Sequence, residues 1–153
     1  MIKKLLPVAI VLFGGIFIVA SLKNHSLDTS LSQWGDDYQG YAEASELQKT
    51  SNQPMAVFFY TDWYSNCKAL REQVLASAEV ESFMKNVHAV KVNPEAGIDE
   101  DLLANKFGVF GYPSFYMVME GGRVVKQIQR TANISPEQFV AQMQQAIHAS
   151  SAM

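Results

Sequence analysis

The chain has 153 residues with 48% hydrophobic and 18% charged side chains, enough for one compact domain plus an appendage. Its 12 Lys and Arg stand against 15 Asp and Glu, and Lys3, Lys4 and Lys23 flank an apolar N-terminal run, so the remainder is distinctly acidic. That balance argues against nucleic-acid binding, which needs Lys and Arg to neutralise phosphates. One cysteine, Cys67, excludes an intramolecular disulfide and a Cys-rich metal site, and His25, His88 and His148 have no ligand-like spacing; no metal and no cofactor are expected.

From Leu5 to Leu22 the sequence LLPVAIVLFGGIFIVASL carries no charge over 18 residues. This length is near the lower limit for a helix crossing a hydrocarbon core about 30 Å thick. A cut after Ala20 would leave Ile18 at the −3 position, where signal peptidase prefers a small residue. Residues 1–23 are therefore expected to form an uncleaved membrane anchor, with a cleaved signal segment as the alternative. Lys3 and Lys4 favour a cytoplasmic N-terminus, which carries the rest of the chain across the membrane.

Residues 24–40 lack sustained periodicity and contain turn formers, so they read as a linker or arm that Trp34 could dock. A helix is expected over 41–51, stopped by Asn52-Gln53-Pro54. Met55 to Tyr60 is a continuous apolar run, as expected of a central strand buried on both faces. Residues 65–86 are helical in pattern, with a break expected at Ser77-Ala78-Glu79. Val87 to Val92 alternates as a second strand, and a short helix over 99–107 is expected to place Leu102, Leu103 and Phe107 on one side.

Ser114–Met119 and Arg123–Ile128 read as a hairpin around Gly121-Gly122, whose missing side chains permit positive φ. Ser135-Pro136-Glu137-Gln138 has the pattern of a capping box with proline at the first helical position. The helix it opens should bury Phe139, Met143 and Ile147. The expected architecture is α/β: helical crossovers make the early strands parallel, the hairpin adds an antiparallel pair, and helices cover a mixed sheet. The domain is placed at 41–148, with 149–153 as a tail.

This order, with FFYTDWYSNCK and FGVFGYPSFYMVMEGG, resembles the thioredoxin superfamily, and within it the C-terminal thioredoxin-like domain of the thiol:disulfide interchange protein DsbD. The resemblance covers roughly Tyr41 to His148 and implies a thioredoxin-like fold in a bacterial setting, so that the segment at 5–22 would hold the domain in the periplasm as a single pass through the inner membrane, or release it there if cleaved. It aligns Tyr64 with the first cysteine of the family's Trp-Cys-x-x-Cys-Lys motif and Cys67 with the second. In that family the first thiolate attacks a disulfide and the second resolves the mixed disulfide.

A phenol cannot form a disulfide, so the dithiol cycle is unavailable to one copy of this chain. Phe58 occupies the position where thioredoxins often bury a carboxylate, and Pro113 the position of a cis proline beside the active site. Pro113 either shapes a substrate-pairing loop, Tyr112-Pro113-Ser114, or simply starts a strand. Two functions are expected from this pattern. One is a noncatalytic adaptor that contacts an extracytoplasmic protein or peptide through Trp63, Tyr64, Tyr112, Pro113 and Ser114. The other is a monothiol redox protein using Cys67 for mixed-disulfide exchange.

Overall fold

A computed structural model describes residues 31–129 and 133–152. The expected anchor at residues 5–22 lies outside these residues. No helix among the described residues is long and apolar enough to cross a membrane.

Five strands form one sheet in the order β1-β3-β2-β4-β5, where β1 is Gly35–Asp36, β2 Met55–Phe59, β3 His88–Val92, β4 Ser114–Met119 and β5 Val124–Ile128. β1, β3 and β2 run parallel, and β4 and β5 run antiparallel to their neighbours. The mixed sheet expected from the connections is the one observed. The apolar run at 55–59 is its middle strand, with all five residues buried.

Alternation along β2 sends Ala56 and Phe58 to one face and Met55, Val57 and Phe59 to the other. The first face is covered by α2 (Ser65–Leu70, continued by a π-helical turn at Arg71–Leu75), α3 (Ala78–Met84) and α5 (Pro136–Ser151). The second is covered by α1 (Asp37–Ser51) and α4 (Ile98–Phe107). Phe139 and Met143 are fully buried in the first layer, as their helical spacing requires.

The break expected near residue 77 is present: Ser77 caps α3 by accepting a hydrogen bond from the Val80 amide at 3.3 Å. The capping box also forms, with Ser135 Oγ accepting from Gln138 N at 3.2 Å and Gln138 Oε1 accepting from Ser135 N at 3.1 Å. In the hairpin, Gly121 and Gly122 take positive φ, and so does Glu120, which lengthens the connection beyond a two-residue turn.

Two differences from the sequence reading have local causes. The segment read as a linker is structured from Leu31: Leu31 and Trp34 are buried, Gly35–Asp36 pairs with β3, and α1 begins at Asp37. The signal is weak in sequence because the strand is two residues long, and no amphipathic period can be read from two residues. Trp34 docks edge-on against Phe115, with ring centroids 6.2 Å apart.

Leu102 is exposed while Leu103, Ala104 and Phe107 turn inward, because adjacent helical residues diverge by about 100°. Lys91, on β3, is buried and pairs with Asp36 Oδ1 at 2.9 Å. The short edge strand that covers it supplies the partner.

Candidate functional site

The sheet itself gathers the candidate residues. β2 ends at Phe59, whose register partners are Val92 at the end of parallel β3 and Ser114 at the start of antiparallel β4. Three loops therefore leave one edge of the sheet together: 60–64 leading into α2, 93–97 leading into α4, and 108–113 leading into β4. Such an edge, outside the carboxyl ends of parallel strands, is where open α/β sheets place their sites.

In the first loop Trp63 projects outward, 71% exposed, and its indole N–H donates to both carboxylate oxygens of Glu95 at 3.0 Å. The Tyr64 ring lies 5.6 Å from that of Trp63, and its hydroxyl oxygen accepts a bond from Asn66 Nδ2 at 2.9 Å. Tyr64 is the N-cap of α2, and its carbonyl accepts the Cys67 amide at 3.0 Å. One helical turn on, Cys67 points into the protein and is only 3% exposed.

In the third loop the Tyr112–Pro113 peptide is cis, as the family resemblance implied, and β4 begins one residue later. Ser114 Oγ donates to the Gly111 carbonyl at 2.7 Å, tying the loop to the strand. Tyr112 is half-buried. Loss of water raises its phenol pKa, and the nearby charges of Glu95, Asp101 and Cys67 push it further up. The phenol therefore stays protonated at neutral pH. A groove of about 350 Å³ runs between this loop and the end of β5, lined by Phe110, Gly111, Pro113, Ser114 and Ile128 among others.

Trp63, Tyr64, Cys67, Tyr112, Pro113 and Ser114 thus share one edge of the sheet, although only Trp63 among them presents most of its surface to solvent. The second loop was absent from the sequence reading. Asn93 Nδ2 donates to Asp62 Oδ2 at 3.3 Å, Asn93 Oδ1 accepts the Glu95 amide at 3.0 Å, and Asp37 Oδ1 accepts the Asn93 amide at 3.0 Å. The available signal was Asn93-Pro94 directly after a strand, an Asx-turn pattern.

With Phe58 in the buried layer, stacked on Tyr60 at 5.5 Å, the strand beneath this edge offers no carboxylate at that position. Proton transfer from there is unavailable. The arrangement offers an outward indole held by a carboxylate, a half-buried tyrosine on either side of the loop junction, and a thiol withdrawn from solvent.

A family model described as a thioredoxin-like domain matches residues 41–147. No curated protein sequence matches the chain. Among solved structures, DsbH oxidoreductase is 26% identical with a TM-score of 0.62, covering 76% of this chain and 84% of its own. The Neisseria meningitidis DsbD C-terminal domain in its oxidised form is 20% identical with a TM-score of 0.61, covering 74% and 98%. A Thermus thermophilus thioredoxin is 19% identical with a TM-score of 0.62, covering 78% and 91%; at this identity, as for the DsbD domain, the likeness is one of fold.

Proposed function

Because the chain belongs to the thioredoxin-like domain family, related to thiol-disulfide exchange proteins, we propose that it is an adaptor that kept the family's recognition edge without its redox cycle. The observation that carries this reading is the pairing of Tyr64 at the entrance of α2 with a Cys67 that is 3% exposed. Exchange begins with an accessible thiolate attacking a sulfur. The accessible position here is a phenol, and the only sulfhydryl lies behind it. Trp63, Tyr64 and the Tyr112-Pro113-Ser114 loop contact an extracytoplasmic protein or peptide in this proposal.

Residues 5–22 tether the domain to the inner membrane as a single pass with the domain in the periplasm. Support for the tether comes from 18 uncharged residues after Lys3 and Lys4. A fusion of a periplasm-dependent reporter to the C-terminus, followed by alkaline carbonate extraction of membranes, tests both halves: an inactive reporter or an extractable chain overturns the placement.

The function is tested by insulin reduction with dithiothreitol in the presence of the full chain. The expected result is no acceleration over the reductant alone, together with a Cys67 that reacts with Ellman's reagent only after urea is added. Sustained turnover that Cys67→Ser abolishes would overturn the adaptor reading in favour of monothiol exchange.

A further inference from the structure

The exposed indole of Trp63 stands beside carboxylates that make no ion pair among the described residues. Glu95 grips the indole N–H from one side, and Asp62, the preceding residue, is tied to the same loop through Asn93. Asp101 on α4 is near enough to Tyr112 to disfavour its phenolate, as is Glu95. Among the described residues none of Asp62, Glu95 and Asp101 is ion-paired with Lys or Arg.

The nearest basic residues by position are turned elsewhere. Lys68 leans toward Glu72 one turn on at 3.9 Å, and Lys106 lines a groove with Tyr41, Phe107 and Tyr116. Phe110, two residues before Tyr112, is fully exposed on the neighbouring loop. An exposed indole with carboxylates beside it that no cation of the described residues pairs is a poor surface to leave in water and a good one for a particular cation.

We propose that this edge docks an arginine-bearing segment of a partner protein, with a guanidinium stacked on Trp63 and forked onto Glu95 and Asp62. The proposal rests on the adaptor reading and names the chemistry of its partner. Arginine suits the site better than lysine because a planar, weakly hydrated guanidinium can lie on an indole face and still offer N–H groups to carboxylates at its rim. An ammonium offers only a point charge. An acidic segment would meet three like charges.

The test uses the full-length chain in a non-ionic detergent and fluorescence anisotropy of a short labelled arginine–serine peptide, with lysine–serine and glutamate–serine peptides of equal length. The arginine peptide should bind about ten-fold or more tighter than the glutamate peptide. Its affinity should fall as ionic strength rises, since exposed charges are screened beyond about 10 Å at 0.1 M salt. Trp63→Ala should weaken it about two- to five-fold, and the double variant Glu95→Gln with Asp62→Asn should weaken it as well.

Equal binding of the glutamate peptide, no binding of the arginine peptide, or an unaffected double variant would overturn the docking proposal. Lysine–serine binding as tight as arginine–serine would overturn the guanidinium assignment. These failures are separable from failure of the adaptor reading, which is lost only if the chain turns over disulfides through Cys67.

Discussion

Replacing Tyr64 by cysteine should rebuild a disulfide at the entrance of α2. Positions 64 and 67 are the N-cap and third residues of that helix, and the Cys67 amide already bonds to the Tyr64 carbonyl at 3.0 Å. At the same pair of positions in α5, the Ser135 and Gln138 side chains each accept a bond from the other residue's backbone N–H, at 3.2 and 3.1 Å, so a side chain placed this way reaches the other residue. A disulfide needs Cα atoms about 4.4–6.8 Å apart, which residues three apart on a first helical turn satisfy.

Closing a loop of four residues removes about 2 kcal/mol of chain entropy from the unfolded state, which corresponds to a rise of roughly 10 °C in melting temperature for a domain of this size. Comparing the oxidised and reduced forms of the same variant cancels the loss of the Tyr64 ring contact with Trp63. The assay is thiol titration in denaturant after mild glutathione oxidation, followed by thermal unfolding with and without reductant. Two titratable thiols after oxidation, or disulfides only between chains, would refute the geometric reasoning.

Gly40→Ala should destabilise the domain although it improves helix propensity. A Cβ at position 40 would sit 2.6 Å from the Gly35 carbonyl carbon and 2.8 Å from its Cα, inside the roughly 3.5–4.0 Å of ordinary carbon contact. The clash is with backbone, so β1 must move. Against a propensity gain of about 1 kcal/mol, overpacking of about 2–3 kcal/mol leaves a net loss of about 1–2 kcal/mol. Urea unfolding measures it, and an unchanged or higher midpoint contradicts the close approach.

Stability should also fall above about pH 10, the ordinary tyrosine value. Burial raises the phenol pKa of Tyr41, Tyr112 and Tyr116 in the folded chain, so the unfolded chain loses these protons first. Protons then favour the folded state less as pH rises from the unfolded toward the folded values. Denaturation midpoints across alkaline pH should decline, and Tyr112→Phe should flatten the decline. A wild-type midpoint that holds constant there would contradict the assignment.

The architecture was legible because it rests on local patterns. Met55–Phe59 reads as a central strand from its unbroken apolar run, the capping box at Ser135 marks its helix, and Gly121-Gly122 marks a turn. Hydrophobic period, caps and turn residues act over a few neighbours, so one chain displays them without its fold. The limit set by a lone cysteine belongs to the same class, since one thiol per chain excludes an intramolecular dithiol cycle from residue identity alone.

What the sequence could not display were the long-range choices. Whether Cys67 faces solvent depends on how α2 seats against the sheet, and the structure places the thiol inside. The joining of Trp63 to Glu95 spans 32 residues and arises only because β2 and β3 end in register. Gly35–Asp36 becomes a strand only where β3 offers it an edge, and that edge brings Asp36 to the buried Lys91. Chemistry at this edge was thus bounded by the residues themselves, whereas the surface around Trp63 was decided by loops that meet only when the sheet has formed.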